Sequence, residues 1–198
     1  GILLLLVDST FTDSCARQID QLRQDINGDG WTVIRHDISR STSDTTIHSL
    51  IVNDYYTHAN VAAILILGHL AVPYSGDLNP DGHPNHLGAW PADVYYGDID
   101  GYWSDITIDD TSSSYPANQN RIGDGKWDQT DEASSIELEV GRIDFYNMPA
   151  FSKTEVQLMS SYLVRDHLFK MDSLDIKHRA PVDDNFGAFG GEAFAANG

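Results

Sequence analysis

Apolar positions along the first seventy residues come in two alternating patterns. Ile2 to Val7 and Val61 to Leu67 are uninterrupted apolar runs of strand length, as in parallel strands buried on both faces. Trp31 to Asp37 reads as a further strand between them. In the intervening stretches the period changes. Cys15, Ile19, Leu22 and Ile26 share one helical face within Asp13 to Asn27, and Ile47, Leu50, Ile51 and Tyr55 share another within Thr45 to Tyr56. Asn27-Gly-Asp-Gly30 stops the first helix. The order is β-α-β-α-β with short connections, which predicts a parallel sheet with right-handed crossovers.

Periodicity fails after Leu67 and returns near Ile136. The residues between carry Pro73, Pro80, Pro84 and Pro91 among repeated Gly, Asp and His. A loop of that length inside one domain is expected to be functional or held by ligands. Asp109 to Asn120, rich in Ser and Asp, reads as its tip. Ile136-Glu-Leu-Glu-Val140 alternates apolar and acidic residues, which suits a strand near the sheet edge. Ser152 to Phe169 reads as an amphipathic helix with Ser152 as cap and Glu155 completing a capping box. Val156, Met159, Tyr162, Leu163 and Leu168 form its inward face. The expected fold is an α/β three-layer sandwich with a mostly parallel sheet and a long Asp/Gly-rich insertion between strands three and four. Residues 1–178 form the scaffold, with the insertion at about 68–135. Residues 179–198 open a following subdomain with a strand at Arg179-Ala-Pro-Val182, and break off.

Charge narrows the partners. Thirty acidic residues against 12 basic ones leave a formal −18, which argues against a surface that tracks nucleic acid or anionic membrane. Such a surface suits a soluble, extracellular or cell-surface protein, with some Asp offsetting their repulsion by holding Ca²⁺. Gly1 to Val7 is short and meets Asp8 at once, so it is read as a core strand and not a signal peptide. No run reaches membrane-spanning length. Cys15 is the single cysteine, so no intrachain disulfide exists, and a small buried Cys is the expected role.

Three local clusters offer hard oxygen ligands. One is Asp93, Asp98, Asp100 and Asp105. Another is Asn118, Asn120, Asp124 and Asp128, which matches an EF-hand loop only loosely. The last is Asp77 and Asp81. In each case the competing reading is a set of turns in which Asp and Asn bind their own backbone. His83-Pro-Asn-His86 with His69 is a weak transition-metal pattern, and His69, just beyond a buried strand, is a candidate acid or base. No Gly-x-Ser-x-Gly elbow is present, and Gly187 to Glu192 lacks the Lys of a phosphate loop.

Four stretches, taken in order, resemble the gingipain-type cysteine peptidases of the caspase-like clan. They are Ala62 to Pro73, with Leu67-Gly-His69; Trp90-Pro-Ala-Asp-Val-Tyr-Tyr-Gly-Asp-Ile-Asp-Gly101; Glu139-Val-Gly-Arg-Ile-Asp144 with the helix after it; and Val182-Asp-Asp-Asn-Phe-Gly187. The resemblance implies an α/β sandwich with structural loop calcium and peptide hydrolysis by a His–Cys dyad. In such peptidases the dyad His follows a later apolar strand as His-Gly, and the Cys ends the strand after that. Neither position occurs here, so the dyad does not transfer to His69 or Cys15. The implied role is the amino-terminal scaffold of a secreted or surface endopeptidase. Arg142, Asp144, Asp183 and Asp184 would shape the cleft rim, and His69 and Asp144 are the remaining acid–base candidates. Its partners would be a peptide or protein substrate, or the rest of the same protein. Two alternatives stay open. One is a noncatalytic calcium-stiffened surface module, self-associating or binding through Tyr74, Trp90, Tyr95, Tyr96, Tyr102 and Trp103. The other is a metal-dependent hydrolase using His69, His83, His86 and Asp93.

Overall fold

A computed structural model describes residues 1–79, 82–83 and 86–174 of the chain. The expected subdomain from residue 179, the cleft-rim Asp183 and Asp184, and the ligand candidate Asp81 lie outside the described residues.

Four strands make one parallel sheet. They are β1 (Ile2–Asp8), β2 (Thr32–Ile38), β3 (Val61–Leu67) and β6 (Glu139–Ile143), in spatial order β2-β1-β3-β6. A short antiparallel pair, β4 (Tyr74–Leu78) and β5 (Gly88–Pro91), stands apart from it. The helices are α1 (Ala16–Gly28), α2 (Asp44–Thr57), the single turn α3 (Val94–Gly97) and α4 (Glu155–Lys170).

The apolar runs behave as strands covered on both sides, with successive side chains going to opposite faces. Leu4 and Leu6 of β1 and Ile64 and Ile66 of β3 pack with Ile47 and Ile51 of α2 and with Tyr95 and Tyr96 of α3. Leu5, Val7 and Leu67 pack on the other face with Cys15, Ile19 and Leu22 and with Met159 and Leu163 of α4. The protein is thus an α/β fold with a mostly parallel four-stranded sheet flanked by helices.

Several boundaries differ from the sequence reading, each for a local reason. Residues 137 and 138 do not join the sheet: their N–H groups both donate to the Gly97 carbonyl at 3.1 Å. The Glu137 carboxylate accepts from the Ile99 N–H at 2.8 Å, so ladder pairing begins only at Glu139 opposite Ala63. Gly97 sits so close under this segment that a Cβ there would lie 2.4 Å from the Leu138 carbonyl oxygen. The cap of α4 is Thr154 and not Ser152. Its hydroxyl accepts from the Gln157 N–H while the Gln157 side chain accepts from the Thr154 N–H, a capping box two residues later than the Ser152–Glu155 pair. Glu155 is left free to reach Arg40. The inward face of α4 is also narrower. Met159 and Leu163 are buried and Val156 packs against them, while Tyr162 and Leu168 are exposed.

The expected loop between β3 and β6 is not structureless. It contains the β4–β5 pair, α3, a 3₁₀ turn at Pro116–Asn118, and isolated bridges Ser75 to Trp127 and Asp110 to Asn120. No helix among the described residues is long and apolar enough to cross a membrane. β6, like β2, is an edge strand with one partner among the described residues, and the outer surface of α4 exposes Tyr162 and Phe169 near Phe151.

Core position should dominate the response to truncation. Leu6→Ala, in the central strand, is expected to cost about 2–5 kcal/mol in urea unfolding, whereas Leu168→Ala should cost under about 1 kcal/mol.

Candidate functional site

In the order β2-β1-β3-β6, the chain moves one way from β1 to reach β2 and the other way to reach β3. The crossovers therefore diverge at the carboxyl ends of β1 and β3, which is where open α/β sheets gather ligands. Side chains from all four strand ends line up there in spatial order: Arg40 after β2, Asp8 ending β1, His69 after β3 and Asp144 after β6.

Asp8 organises the row. Its carboxylate is fully buried, yet every direction is answered. The Thr10 N–H donates to one oxygen at 2.9 Å, and the Arg40 guanidinium and the His69 N–H, at 3.1 Å, donate to the other. Gly68 makes this approach feasible. It stands at φ +96°, and a Cβ there would fall 2.5 Å from the Phe11 ring and 2.6 Å from the Asp8 Cβ. Arg40 also donates to Glu155 at the start of α4 and lies over the rings of Phe11 and Tyr146, 5.9 and 5.5 Å from their centroids. Burial pushes the Arg40 guanidinium down, but Glu155 and Asp8 outweigh it and raise it above its ordinary value.

His69 and Asp144 form the second half of the row. His69 Nδ1 is 2.7 Å from Asp144 Oδ2, and the other Asp144 oxygen accepts from the Tyr146 N–H at 2.8 Å. The Tyr146 ring stacks on the imidazole, centroids 3.9 Å apart at 17°. The carboxylate assigns the proton to Nδ1, which leaves Nε2 as the open ring nitrogen, without a partner among the described residues. The side chain is 37% exposed. An imidazole oriented by a carboxylate with one nitrogen open can take or give a proton, or hydrogen-bond a ligand. The two residues lie 75 positions apart, and only the parallel pairing of β3 with β6 brings them together.

Arg142, one residue before the end of β6, turns to the excursion. It clamps Asp93 with two bonds of 2.7 and 2.8 Å and donates to the carbonyls of Leu70 and Ala71, fixing the path of the chain beyond His69. Both Asp93 oxygens are thereby occupied. Cys15 is fully buried, its thiol 3.8 Å from the Val156 carbonyl, and desolvation pushes it up against the smaller opposing effect of Ser14.

The expected ligand clusters sort differently from their sequence grouping. Asp98, Asp100 and Glu137 each bring a carboxylate oxygen within 4.8 Å of the others, a group that could hold a metal ion; Glu137 was not among the sequence candidates. Asp98 is nonetheless well supplied with donors: Gly101 N–H, Ser134 N–H and hydroxyl, and the Trp103 indole. Asp105 accepts from the N–H groups of Gly123 and Gly125, both at 2.7 Å, and Asp124 from Arg121, Lys126 and the Lys126 ammonium. Asp128 accepts from Ile106, Thr107 and Ile108 N–H groups and from the Ser104 hydroxyl. Asn118 is half-buried in the 3₁₀ turn, its N–H bonded to the Tyr115 carbonyl. Asn120 is fully buried and Asp77 half-buried. Among the described residues, His69, His83, His86 and Asp93 do not form a group with ligand atoms within 4.8 Å of one another. A cleft of about 350 Å³ lies within the excursion, lined in part by Trp90, Asp93, Trp103 and Gln129. Tyr95 and Tyr96 are buried, so the exposed aromatic loop of the surface-module reading shrinks to Tyr102 and its neighbours.

Comparison with protein-family models, with curated proteins and with solved structures found no match for this chain.

Two substitutions test the electrostatics. Arg40→Met leaves buried Asp8 with only its two N–H donors. It should cost about 2–3 kcal/mol in chemical denaturation, less than a fully buried pair because Arg40 is partly exposed. At Asp128, burial pushes the carboxyl up, but the Ile106 and Ile108 N–H groups, the Ser104 hydroxyl and the Thr107 N–H outweigh it and hold the group at about 2. Its stabilisation is therefore present above the unfolded-state value near 4 and lost as pH falls toward 2. Asp128→Asn should lower the melting temperature at pH 7, with the gap to wild type closing between pH 4 and 2.

Proposed function

We propose that this chain is the amino-terminal scaffold of a secreted or cell-surface cysteine endopeptidase of the gingipain type, with the caspase-like arrangement, and that it binds peptide substrate across the carboxyl edge of its sheet. The observation that carries the reading is the His69–Asp144 pair, 2.7 Å apart beside the point where the crossovers diverge, with Nε2 open. Besides the Arg142–Asp93 pair, three carboxylates (Asp8, Asp144, Glu155) stand there against the one guanidinium of Arg40, a surplus that favours a cationic or N–H-rich peptide. His69 is a substrate-contacting group in this reading, held by Asp144.

Cys15, the single thiol, is sealed in the core with its thiolate disfavoured, so the nucleophile is assigned to sequence beyond these 198 residues. The unpaired edge of β6 and the apolar outer surface of α4 support that division, since a following subdomain has an edge and a face to join. Calcium, in the same reading, stiffens the acidic excursion.

Peptide cleavage by the complete gene product is the test. Cleavage should be abolished by thiol alkylation of the native enzyme, should persist in Cys15→Ala, and should fall about ten- to a hundredfold in kcat/KM in His69→Ala and Asp144→Asn. Cleavage insensitive to alkylation, cleavage lost with Cys15 in a folded variant, or a noncatalytic complete product would each overturn the reading.

A further inference from the structure

The excursion contains oxygens that the fold leaves without donors. Asp110 and Asn120 form an antiparallel bridge, with N···O distances of 2.7 and 2.8 Å in the two directions. Residues paired in this way carry their side chains on the same face, with Cα atoms about 5.5 Å apart. Asn120 is fully buried. Its amide nitrogen donates to the carbonyls of Gly76 at 3.1 Å and Trp127 at 3.0 Å. Two carbonyl acceptors settle which end of the amide is nitrogen, so Oδ1 is the other end, and it meets no donor.

The Gly76 carbonyl belongs to the peptide unit that leads into Asp77, whose Oδ1 is likewise buried and without a donor. The Asp110 carboxylate lies close enough for its charge to act on Asp77. Burial, then the Asp110 charge, push Asp77 up, while the Ser112 N–H and hydroxyl hold Asp110 down.

We propose that Asp77, Asp110 and Asn120 form a binding site for Ca²⁺, which supplies the partner that the buried oxygens of Asp77 and Asn120 lack. Every donor is a hard oxygen and one is a neutral amide, and no nitrogen or sulfur competes. Such a set suits Ca²⁺, which accepts six to eight oxygens in irregular geometry and completes its shell with carbonyls and water. Mg²⁺ demands a nearer-ideal octahedron. The ion would tie β4, which carries Asp77, to the segment bearing Asp110 and Asn120. The Asp98–Asp100–Glu137 group differs because Asp98 and Glu137 already have protein donors. The proposal rests on the calcium part of the reading above and not on its peptidase part.

The experiment titrates chelator-treated protein with Ca²⁺ and, separately, with Tb³⁺. The readouts are thermal melting and Tb³⁺ luminescence excited through tryptophan, since Trp127 adjoins the site. Ca²⁺ at millimolar concentration should raise the melting temperature by several degrees, because it binds only the folded form. Asp110→Asn, at a half-buried position, should lower the affinity at least tenfold. Asp77→Asn should do the same while raising the melting temperature of the chelated protein at pH 7, because it removes the carboxylate repulsion. Asp100→Asn should leave the affinity unchanged. Absence of any Ca²⁺ response overturns the proposal together with the calcium reading. A response kept in both Asp77→Asn and Asp110→Asn but lost in Asp100→Asn overturns this site alone, by moving the ion to the acidic group of Asp98. Neither result bears on alkylation-sensitive cleavage.

Discussion

Burying one carboxylate at the centre of the sheet constrains everything around it. Asp8 ends the most protected strand and has no access to water, so its charge survives only with a cation and several N–H donors aimed at it. Meeting that requirement fixes three chain segments at once. The β2–α2 connection must deliver Arg40, the β1–α1 turn must present the Thr10 N–H, and the exit of β3 must bend through a left-handed Gly68 to present the His69 N–H. The imidazole is then carried to Asp144. The open nitrogen of His69 thus owes its position to a buried charge on the neighbouring strand.

The same logic at lower cost explains how so acidic a chain folds its excursion. Asp105, Asp128 and Asp98 lie where successive backbone N–H groups point inward, and each carboxylate takes the place of a ladder that irregular backbone cannot form. Asp128 alone collects the N–H groups of Ile106, Thr107 and Ile108, giving a segment without helix or strand its hydrogen bonds. Much of the formal −18 is therefore employed inside the molecule as an acceptor and is not only a solvated surface.

The half of the fold that depends on local pattern was legible in the sequence. Ile2 to Val7 and Val61 to Leu67 could be read as strands buried on both faces because nothing in them is polar, and Cys15, Ile19 and Leu22 as one inward stripe because their spacing is helical. Asp144 and His69 could be placed at strand ends one by one. Their contact could not be, because it follows from β6 lying beside β3, and pairing across seventy residues leaves no local trace. The role of Arg40 was missed for the same reason: it sits in a polar Ser-Arg-Ser stretch, and only tertiary structure supplies Asp8 and Glu155. The capping box slipped by two residues because Ser152 and Thr154 both begin acceptable patterns, and the choice between them was made by Glu155 turning to Arg40.

Spacing in sequence also proved a poor guide to which acidic residues act together, for a reason that reaches beyond this chain. Asp and Gly close together signal a turn whether the carboxylate binds its own backbone or an ion, so composition cannot separate the two. What separates them is whether the oxygens have donors. Asp98, Asp105 and Asp128, the more conspicuous in sequence, are supplied by N–H and hydroxyl groups within the excursion. Asp77, Asp110 and Asn120 come from three separate stretches, and among them two oxygens are buried with none. A buried oxygen without a donor costs free energy that a folded chain rarely leaves uncompensated. A divalent ion compensates two carboxylates and an amide together. The less conspicuous cluster is therefore the one with chemical reason to take a cation.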